Sequence, residues 1–397
     1  MAYANLYRPD RLFLPQQKLS AFAETVPTPF YLYHEAGIRK SAQLIRGSFC
    51  WAPEHRALFP VSANSCGQIL RIFREEGFGA LTRSVQELAL AKGCGFSGIA
   101  FHTAAMTADA AGAVKDARCT VIFDSLSQIR AMGGCFPARC ALRFHPEQEP
   151  GRSAAAVRKH KSGMDRAQIL EAVRMLSAAG VGEIGLHCHI SGGNTGEEFY
   201  PSVAATAFSM AQEVFRATGV RVAFVDPGGG IGVYRKHDRG VVQLSRVGVL
   251  VRNAYEAAFG RGQGPALCTE LGRYAAARHG LLVCRVAEVR ERSRAYAILD
   301  ATTGQLPDLL ISGARHPISV VGSCAKTGRQ VYSVHGCTPD ARELISDRAI
   351  LPALSPGVLV AIHTAGAYCE SMQIPRCGLP ACGSYLYTED GRFVPTA

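Results

Sequence analysis

From about residue 57 to residue 271, short apolar runs alternate with stretches whose apolar residues recur at helical spacing. The runs predict strands at 57–61, 79–82, 98–101, 120–123, 141–144, 184–189, 222–226 and 266–271. The intervening pattern predicts helices, most clearly at 84–91 and 166–179. A strand covered on both faces reads as a continuous apolar run, so these are expected to be buried parallel strands. Eight strands, each coupled to a helix, is the count of a (β/α)8 barrel of the α/β class. An open doubly wound sheet is the rival arrangement of the same units.

After Arg273 the pattern changes. Strand-like runs at 281–289, 295–299, 318–321, 330–334 and 358–362 are separated by turns rich in Gly, Pro and Asp, which predicts an antiparallel β domain. The segment ahead of Pro27-Thr28-Pro29 has no partner of its own and is assigned to that second domain. The expected division is a barrel over 29–271 and a β domain built from 1–28 and 272–397. No low-complexity linker separates them.

Composition narrows the class. At 397 residues the chain has room for two or three domains of about 150 residues each. With 48% hydrophobic and 19% charged residues it is too apolar for disorder. No run approaches the roughly 18 apolar residues of a membrane span, and the N-terminus lacks a basic segment followed by an apolar one. The expectation is a soluble, cytoplasmic protein with no membrane partner. The net charge of +11 is spread thinly, with only short clusters at Arg158-Lys159-His160-Lys161 and Arg290-Glu291-Arg292-Ser293-Arg294. That argues against nucleic acid and for an anionic small molecule or an acidic carrier protein. Fourteen cysteines without a secretion signal are expected to be free thiols. Cys377 and Cys382 have no second pair to complete a zinc site.

Three clusters carry chemistry. Gly228-Gly229-Gly230-Ile231-Gly232 follows the run ending Val225-Asp226-Pro227. Glycines after a barrel strand let backbone N–H groups approach a phosphate, although such a turn is as often structural. The spacing is not the G-x-G-x-x-G of dinucleotide sites. His187-Cys188-His189 closes another run, and alternation puts both imidazoles on one face. They can bind a metal, stack on a planar ligand or pack as satisfied core histidines. No acidic partner lies nearby in sequence, so no metal is expected. Glu270-Leu271-Gly272-Arg273 ends the eighth strand, at the end where barrel active sites lie. There a carboxylate can hold a protonated ring nitrogen and an arginine can meet a phosphate, with a surface ion pair as the plainer alternative.

Further blocks extend the pattern: Thr28-Pro29-Phe30-Tyr31-Leu32-Tyr33, Phe59-Pro60-Val61-Ser62-Ala63-Asn64-Ser65, Gly185-Leu186-His187-Cys188-His189-Ile190 and Ala365-Gly366-Ala367-Tyr368. In this order they resemble the fold-type III pyridoxal-phosphate decarboxylases, the family of diaminopimelate, ornithine and arginine decarboxylases, almost from end to end. The resemblance implies pyridoxal phosphate as cofactor, with His189 stacked on its ring and Glu270 on its ring nitrogen. Gly228, Gly229, Gly230, Arg273 and Tyr368 would hold the phosphate. Cys337, in Gly336-Cys337-Thr338-Pro339-Asp340, matches the cysteine that reaches a neighbouring subunit's site and returns a proton after carbon dioxide leaves. This implies a homodimer with shared active sites. Cys324 is a competing match, less well spaced from Tyr368.

Two departures stand out. Ser62 occupies the position of the lysine that holds the cofactor as an imine, and a hydroxyl cannot form one. Because every other cofactor position is kept, the pattern reads as an engineered lysine-to-serine change that stalls the enzyme. A natural homologue that lost the step is the other reading. Lys161 and Lys326 are not placed at the ring by anything in the sequence. Secondly, Thr338 stands where relatives specific for diamines carry an acidic residue, and an early acidic residue is missing near Ala80. Together with Arg315-His316-Pro317, this block looks closer to siderophore-pathway decarboxylases of citrate-bearing amino-acid conjugates. The substrate residues expected are Arg315, His316 and Thr338.

The expected function is therefore decarboxylation of a modified, carboxylate-rich amino acid in siderophore or similar natural-product biosynthesis. The alternatives are a racemase on the same fold, a catalytically silent pyridoxal-phosphate-binding homologue, and an enzyme acting on a carrier-tethered substrate.

Overall fold

A computed structural model describes residues 11–146, 161–190, 192–233, 241–322 and 328–396, apart from the side chains of residues 116 and 117. The cluster Arg158-Lys159-His160 and the residues Cys324 and Lys326 lie outside the described residues. Lys161 is exposed. The chain forms two compact units: Ser41–Ser62 with Leu70–Tyr274, and Met1–Lys40 with Ala63–Ile69 and Ala275–Ala397.

The first strand, β1 (Phe30–His34), falls after the boundary expected at residue 29, yet it is not a barrel strand. It pairs with strands of the second unit, described below. The barrel begins at β2 (His55–Pro60) and continues through β3 (Gly79–Thr82), β4 (Ile99–His102), β5 (Thr120–Phe123), β6 (Arg139–Arg143), β7 (Glu183–His187), β8 (Phe224–Asp226) and β9 (Ala266–Thr269). All pairings are parallel, and β2 closes on β9 with His55 opposite Leu267. The doubly wound alternative is thereby excluded. Leu81, Ala100, Ile122, Ala141, Phe224, Ala266 and Cys268 fill one end of the interior, as layered side chains do in such barrels. Gly185 is required by this packing: a Cβ there would lie 2.3 Å from the Phe224 ring.

Helices cover the barrel for reasons legible in their sequences. Asp165 and Gln168 form a capping box at the start of Arg166–Ala178, whose Ile169, Ala172, Val173 and Leu176 are buried at i, i+3, i+4 and i+7 spacing. Ser84 caps Val85–Gly93 by accepting the Glu87 N–H. The strands expected at 184–189 and 266–271 stop earlier, at His187 and Thr269. Beyond those points the regular ladder ends: Cys188 N–H donates to the carbonyl of Asp226, the last residue of β8, and Glu270 N–H to the Gly228 carbonyl in the loop after it.

The second unit adds β10 (Gly280–Glu291), β11 (Ala295–Leu299), β12 (Ile318–Val321), β13 (Arg329–His335), β14 (Leu344–Pro352), β15 (Leu359–His363), β16 (Gly383–Tyr387) and β17 (Phe393–Pro395). The sheet runs β14-β13-β11-β10-β1-β16-β17, with β15 on β10 and β12 on β15. It is mostly antiparallel, but β1 pairs with β16, and β11 with β13, in parallel. Twelve-residue β10 pairs with β1 and β15 along its first half and with β11 from Val286 onward, with a register shift between Val286 and Glu288. The helix Gln16–Ala23 packs Leu19 and Ala23 against Phe30, Leu32, Leu281 and Val283, which ties the N-terminal segment to this sheet.

Candidate active site

The C-terminal ends of the barrel strands surround a cavity of about 230 Å3. Its lining includes Arg83 just past β3, His102 ending β4, Arg143 ending β6, His187 ending β7, and His189 and Glu270 on the loops beyond β7 and β9.

His189 accepts the Gly229 N–H on Nδ1 at 3.2 Å, so its ring proton belongs on Nε2. Burial pulls its pKa down to about 3, which leaves a neutral ring. Burial opposes the charge on Glu270, which is 4% exposed. The His187 ring and, after it, the Arg83 guanidinium outweigh that and bring its pKa to about 2. His187 Nε2 stands 3.3 Å from Glu270 Oε1, and neither atom has a partner in hydrogen-bond geometry. Asp226, ending β8, is 2% exposed and accepts the Gly228 N–H at 2.8 Å. One donor atom each from His187, Asp226 and Glu270 lie within 4.8 Å of one another.

The glycine turn is built by close approach. Gly228 has φ +75°, and a Cβ on it would lie 2.5 Å from the Cys188 carbonyl oxygen. On Gly229 a Cβ would lie 2.2 Å from the Glu270 carbonyl oxygen. Tyr200 Oη donates to the Gly228 carbonyl at 3.0 Å, and the Asn194 N–H donates to Gly230 at 2.9 Å. Arg273 follows on the short helix Gly272–Ala276. Ser62 lies in the 3-10 turn Val61–Ala63 directly after β2, its Oγ buried. No lysine is among the described residues that line the cavity.

In the same lining, Arg143 donates from Nη2 to the His189 carbonyl at 3.2 Å and places Nη1 3.2 Å from His102 Nε2. Burial lowers His102 to a pKa of about 4, so a neutral ring faces the guanidinium. Asp124 Oδ1 lies 3.4 Å from His102 Nε2 and 3.8 Å from Arg143 Nε. Sequence reasoning missed Arg83, His102, Asp124, Arg143 and Asp226 as site residues. The available signal was a polar residue at, or just beyond, the end of each predicted barrel strand.

The remaining expected residues belong to the second unit. Cys337 is exposed, and its N–H donates to the Ala301 carbonyl at 2.9 Å. Thr338 Oγ1 donates to Glu343 Oε1 at 2.8 Å. Glu343 is 1% exposed, accepts the Thr303 N–H at 2.7 Å and faces Arg376 Nε at 3.7 Å. Tyr368 adopts a positive φ of 59°, and its N–H donates to the Ala63 carbonyl at 2.7 Å. Asn64 Nδ2 donates to the Gly366 carbonyl at 3.2 Å. The segment directly after Ser62 is thus tied to the block that holds Tyr368. His316 is buried, with Nδ1 3.0 Å from the His363 carbonyl oxygen. Arg315 is exposed.

A closed parallel barrel whose mouth carries an ionised glutamate, a neutral histidine and a tight glycine turn, joined to a second β unit, defines a class of cofactor-dependent barrel proteins. The chain belongs to the family described as "Pyridoxal-dependent decarboxylase, pyridoxal binding domain", whose model matches residues 35–277. It is a pyridoxal-phosphate-dependent carboxy-lyase of the diaminopimelate and ornithine decarboxylase type. Over 380 residues it is 26% identical to Protein TabA of Pseudomonas amygdali pv. tabaci, covering 95% of this chain and 90% of that one. Over 378 residues it is 26% identical to diaminopimelate decarboxylase of Methanothermobacter thermautotrophicus, covering 92% and 88%. Among solved structures, diaminopimelate decarboxylase from M. jannaschii superposes with TM-score 0.87 at 21% identity, covering 95% of this chain and 90% of that one. Lysine/ornithine decarboxylase from Vibrio vulnificus, complexed with putrescine, gives 0.80 at 17%, covering 94% and 97%. These two structures share the fold.

The residues present suit the cofactor in all but one respect. The glycine turn is packed too closely against Cys188 and Glu270 to carry any Cβ, so its backbone is not covered by side chains; Glu270 offers a buried anionic oxygen, and His189 offers a neutral ring. The missing feature is a lysine at position 62.

Proposed function

We propose that this carboxy-lyase acts on an amino acid bearing carboxylates beyond the one it loses, in siderophore or similar natural-product biosynthesis. The observation that carries the reading is the presence of two guanidiniums, Arg83 and Arg143, in the lining of one barrel cavity. A guanidinium meets a carboxylate through paired, charge-assisted hydrogen bonds and repels a distal ammonium. In the second unit, Glu343 is already engaged by Thr338, Thr303 and Arg376, so its charge is not offered to an amine.

His189 would face the cofactor ring, Glu270 would hold its ring nitrogen, and Gly228, Gly229, Gly230 and Arg273 would hold its phosphate. Tyr368, Cys337 and the shared-site homodimer carry over from the family resemblance alone, as do Arg315 and His316 as substrate residues. Bound there, pyridoxal phosphate supplies the electron sink for the pair left when carbon dioxide departs. With Ser62 the cofactor is held without a covalent link, and turnover is severely impaired until a lysine is restored.

The test is a competition assay with the Ser62→Lys protein. A polycarboxylated amino-acid conjugate should exceed free ornithine, lysine and diaminopimelate by at least about tenfold in kcat/KM, a gap needing about 1.4 kcal/mol of differential transition-state binding. Arg83→Gln should narrow the gap. Free diaminopimelate or ornithine turned over as fast as the conjugate overturns the substrate class. Ser62 itself favours one other reading, a silent pyridoxal-phosphate-binding homologue. No turnover of any amino acid after lysine restoration would establish that instead.

A further inference from the structure

The carboxylates of Asp226 and Glu270 meet at the ends of the neighbouring strands β8 and β9. We infer that Asp226 keeps its proton in the folded protein and donates a hydrogen bond through it to Glu270, so that Asp226 is the positioning residue that keeps Glu270 charged and aimed at the cavity. The inference concerns the barrel mouth of this chain and does not depend on which substrate it takes.

Both carboxyl groups are almost wholly buried, at 2% and 4% exposure, and their nearest oxygens lie within 4.8 Å. Two like charges so close in a poorly solvated site do not both persist, and one group keeps its proton. The surroundings decide which. Glu270 has His187 Nε2 at 3.3 Å and shares its cavity with Arg83 and Arg143. Asp226 has the Gly228 N–H on Oδ1 at 2.8 Å, and among the described residues no cation pairs with it.

The other groups around Asp226 do not reverse this. Tyr200, on the helix Phe199–Thr218, and Cys268, on β9, are kept neutral by burial, reinforced by the acidic side chains around them. On β7 the titratable group is His187, whose Nε2 lies 3.3 Å from Glu270 Oε1. Burial and then Glu270 push the Asp226 carboxyl well above the usual carboxylate range, in accord with the geometry.

The arrangement has a use. The Asp226 hydroxyl would fix one side of the Glu270 carboxylate, while Glu270 Oε1 remains without a hydrogen-bond partner. That is the oxygen available to a protonated ring nitrogen. The acid thus plays the part of a neutral donor, for which an amide is an adequate substitute.

The test is infrared spectroscopy of the purified chain with its aspartates carbon-13 labelled. A protonated aspartic acid carbonyl band should be present at pH 7 and absent in Asp226→Asn. Absence of the band from the parent protein, or its survival in Asp226→Asn, overturns the inference. So does its appearance under glutamate labelling instead, which would put the proton on Glu270. Pyridoxal phosphate itself, titrated by absorbance, supplies the second readout. Asp226→Asn keeps a donor toward Glu270 and should bind within about threefold of the parent. Asp226→Ala should bind at least about tenfold more weakly while remaining folded by circular dichroism. Equal binding by both variants overturns the positioning role. Should Asp226→Asn fail to fold, the band is assigned by its loss in Asp226→Ala, and a band that survives there overturns the inference.

Discussion

The Thr338 hydroxyl donates to Glu343 Oε1 at 2.8 Å, which puts a buried carboxylate one hydrogen bond behind the position where diamine-specific relatives are expected to carry an acid. That carboxylate is spent internally on the Thr303 N–H and faces Arg376, which also donates to Asp340 at 3.1 Å. Glu343→Ala should therefore leave a buried N–H and part of a guanidinium unsatisfied, costing about 3 kcal/mol. Glu343→Gln, which keeps the shape and an acceptor, should cost about 1 kcal/mol. Urea unfolding of both variants checks this; a loss under about 1 kcal/mol in the alanine variant would remove Glu343 as the organiser of this loop.

The glycine turn makes a steric prediction. Because a Cβ on Gly229 would fall 2.2 Å from the Glu270 carbonyl oxygen, Gly229→Ala must push the turn away from β9. Pyridoxal phosphate binding, followed by absorbance, should weaken at least about tenfold. Binding unchanged by this variant would exclude the turn from the cofactor site.

Three barrel histidines predict acid sensitivity. Burial lowers His55 and His102 to about 4 and His189 to about 3, from an ordinary value of 6.5. They are neutral when folded and take protons when unfolded, so stability is retained above pH 6.5 and falls as pH drops from 6.5 toward 4. Each contributes a slope of up to about 1.4 kcal/mol per pH unit in that window. Glu270, with its pKa lowered from 4.5 to about 2, adds its own loss only below pH 4.5. His55→Gln should flatten the pH 7 to pH 5 difference in urea midpoint, measured without added cofactor. An identical difference in parent and variant would contradict the assignment.

The serine at position 62 predicts how the cofactor is held. Borohydride treatment of the chain loaded with pyridoxal phosphate should leave its mass unchanged, whereas Ser62→Lys should gain a reduced cofactor adduct on residue 62. A reduced adduct on any lysine of the parent chain would show that another amine has taken over.

What the sequence determined by itself is local. The eight apolar runs and the turn at Gly228-Gly229-Gly230 are properties of a few consecutive residues, since burial on both faces and a sharp turn leave their marks within one segment. Glu270 and His189 stood out as polar residues at the ends of such runs, whereas Ser62 stood out only through the family resemblance, which implies a lysine there. Strand partnership was not legible: nothing within Phe30–His34 says that it lies between β10 and β16 rather than in the barrel. The polar strand β14, with Asp347 and Arg348 at its centre, lacked the apolar run by which a strand is recognised. Only the tertiary structure decided how the ends of β8 and β9 bring the Asp226 and Glu270 carboxyl groups together, and that Arg143 reaches His102 and the His189 carbonyl. The reason is physical: apolar periodicity belongs to one segment, whereas the charge a buried acid keeps depends on which neighbours the closed barrel brings to it.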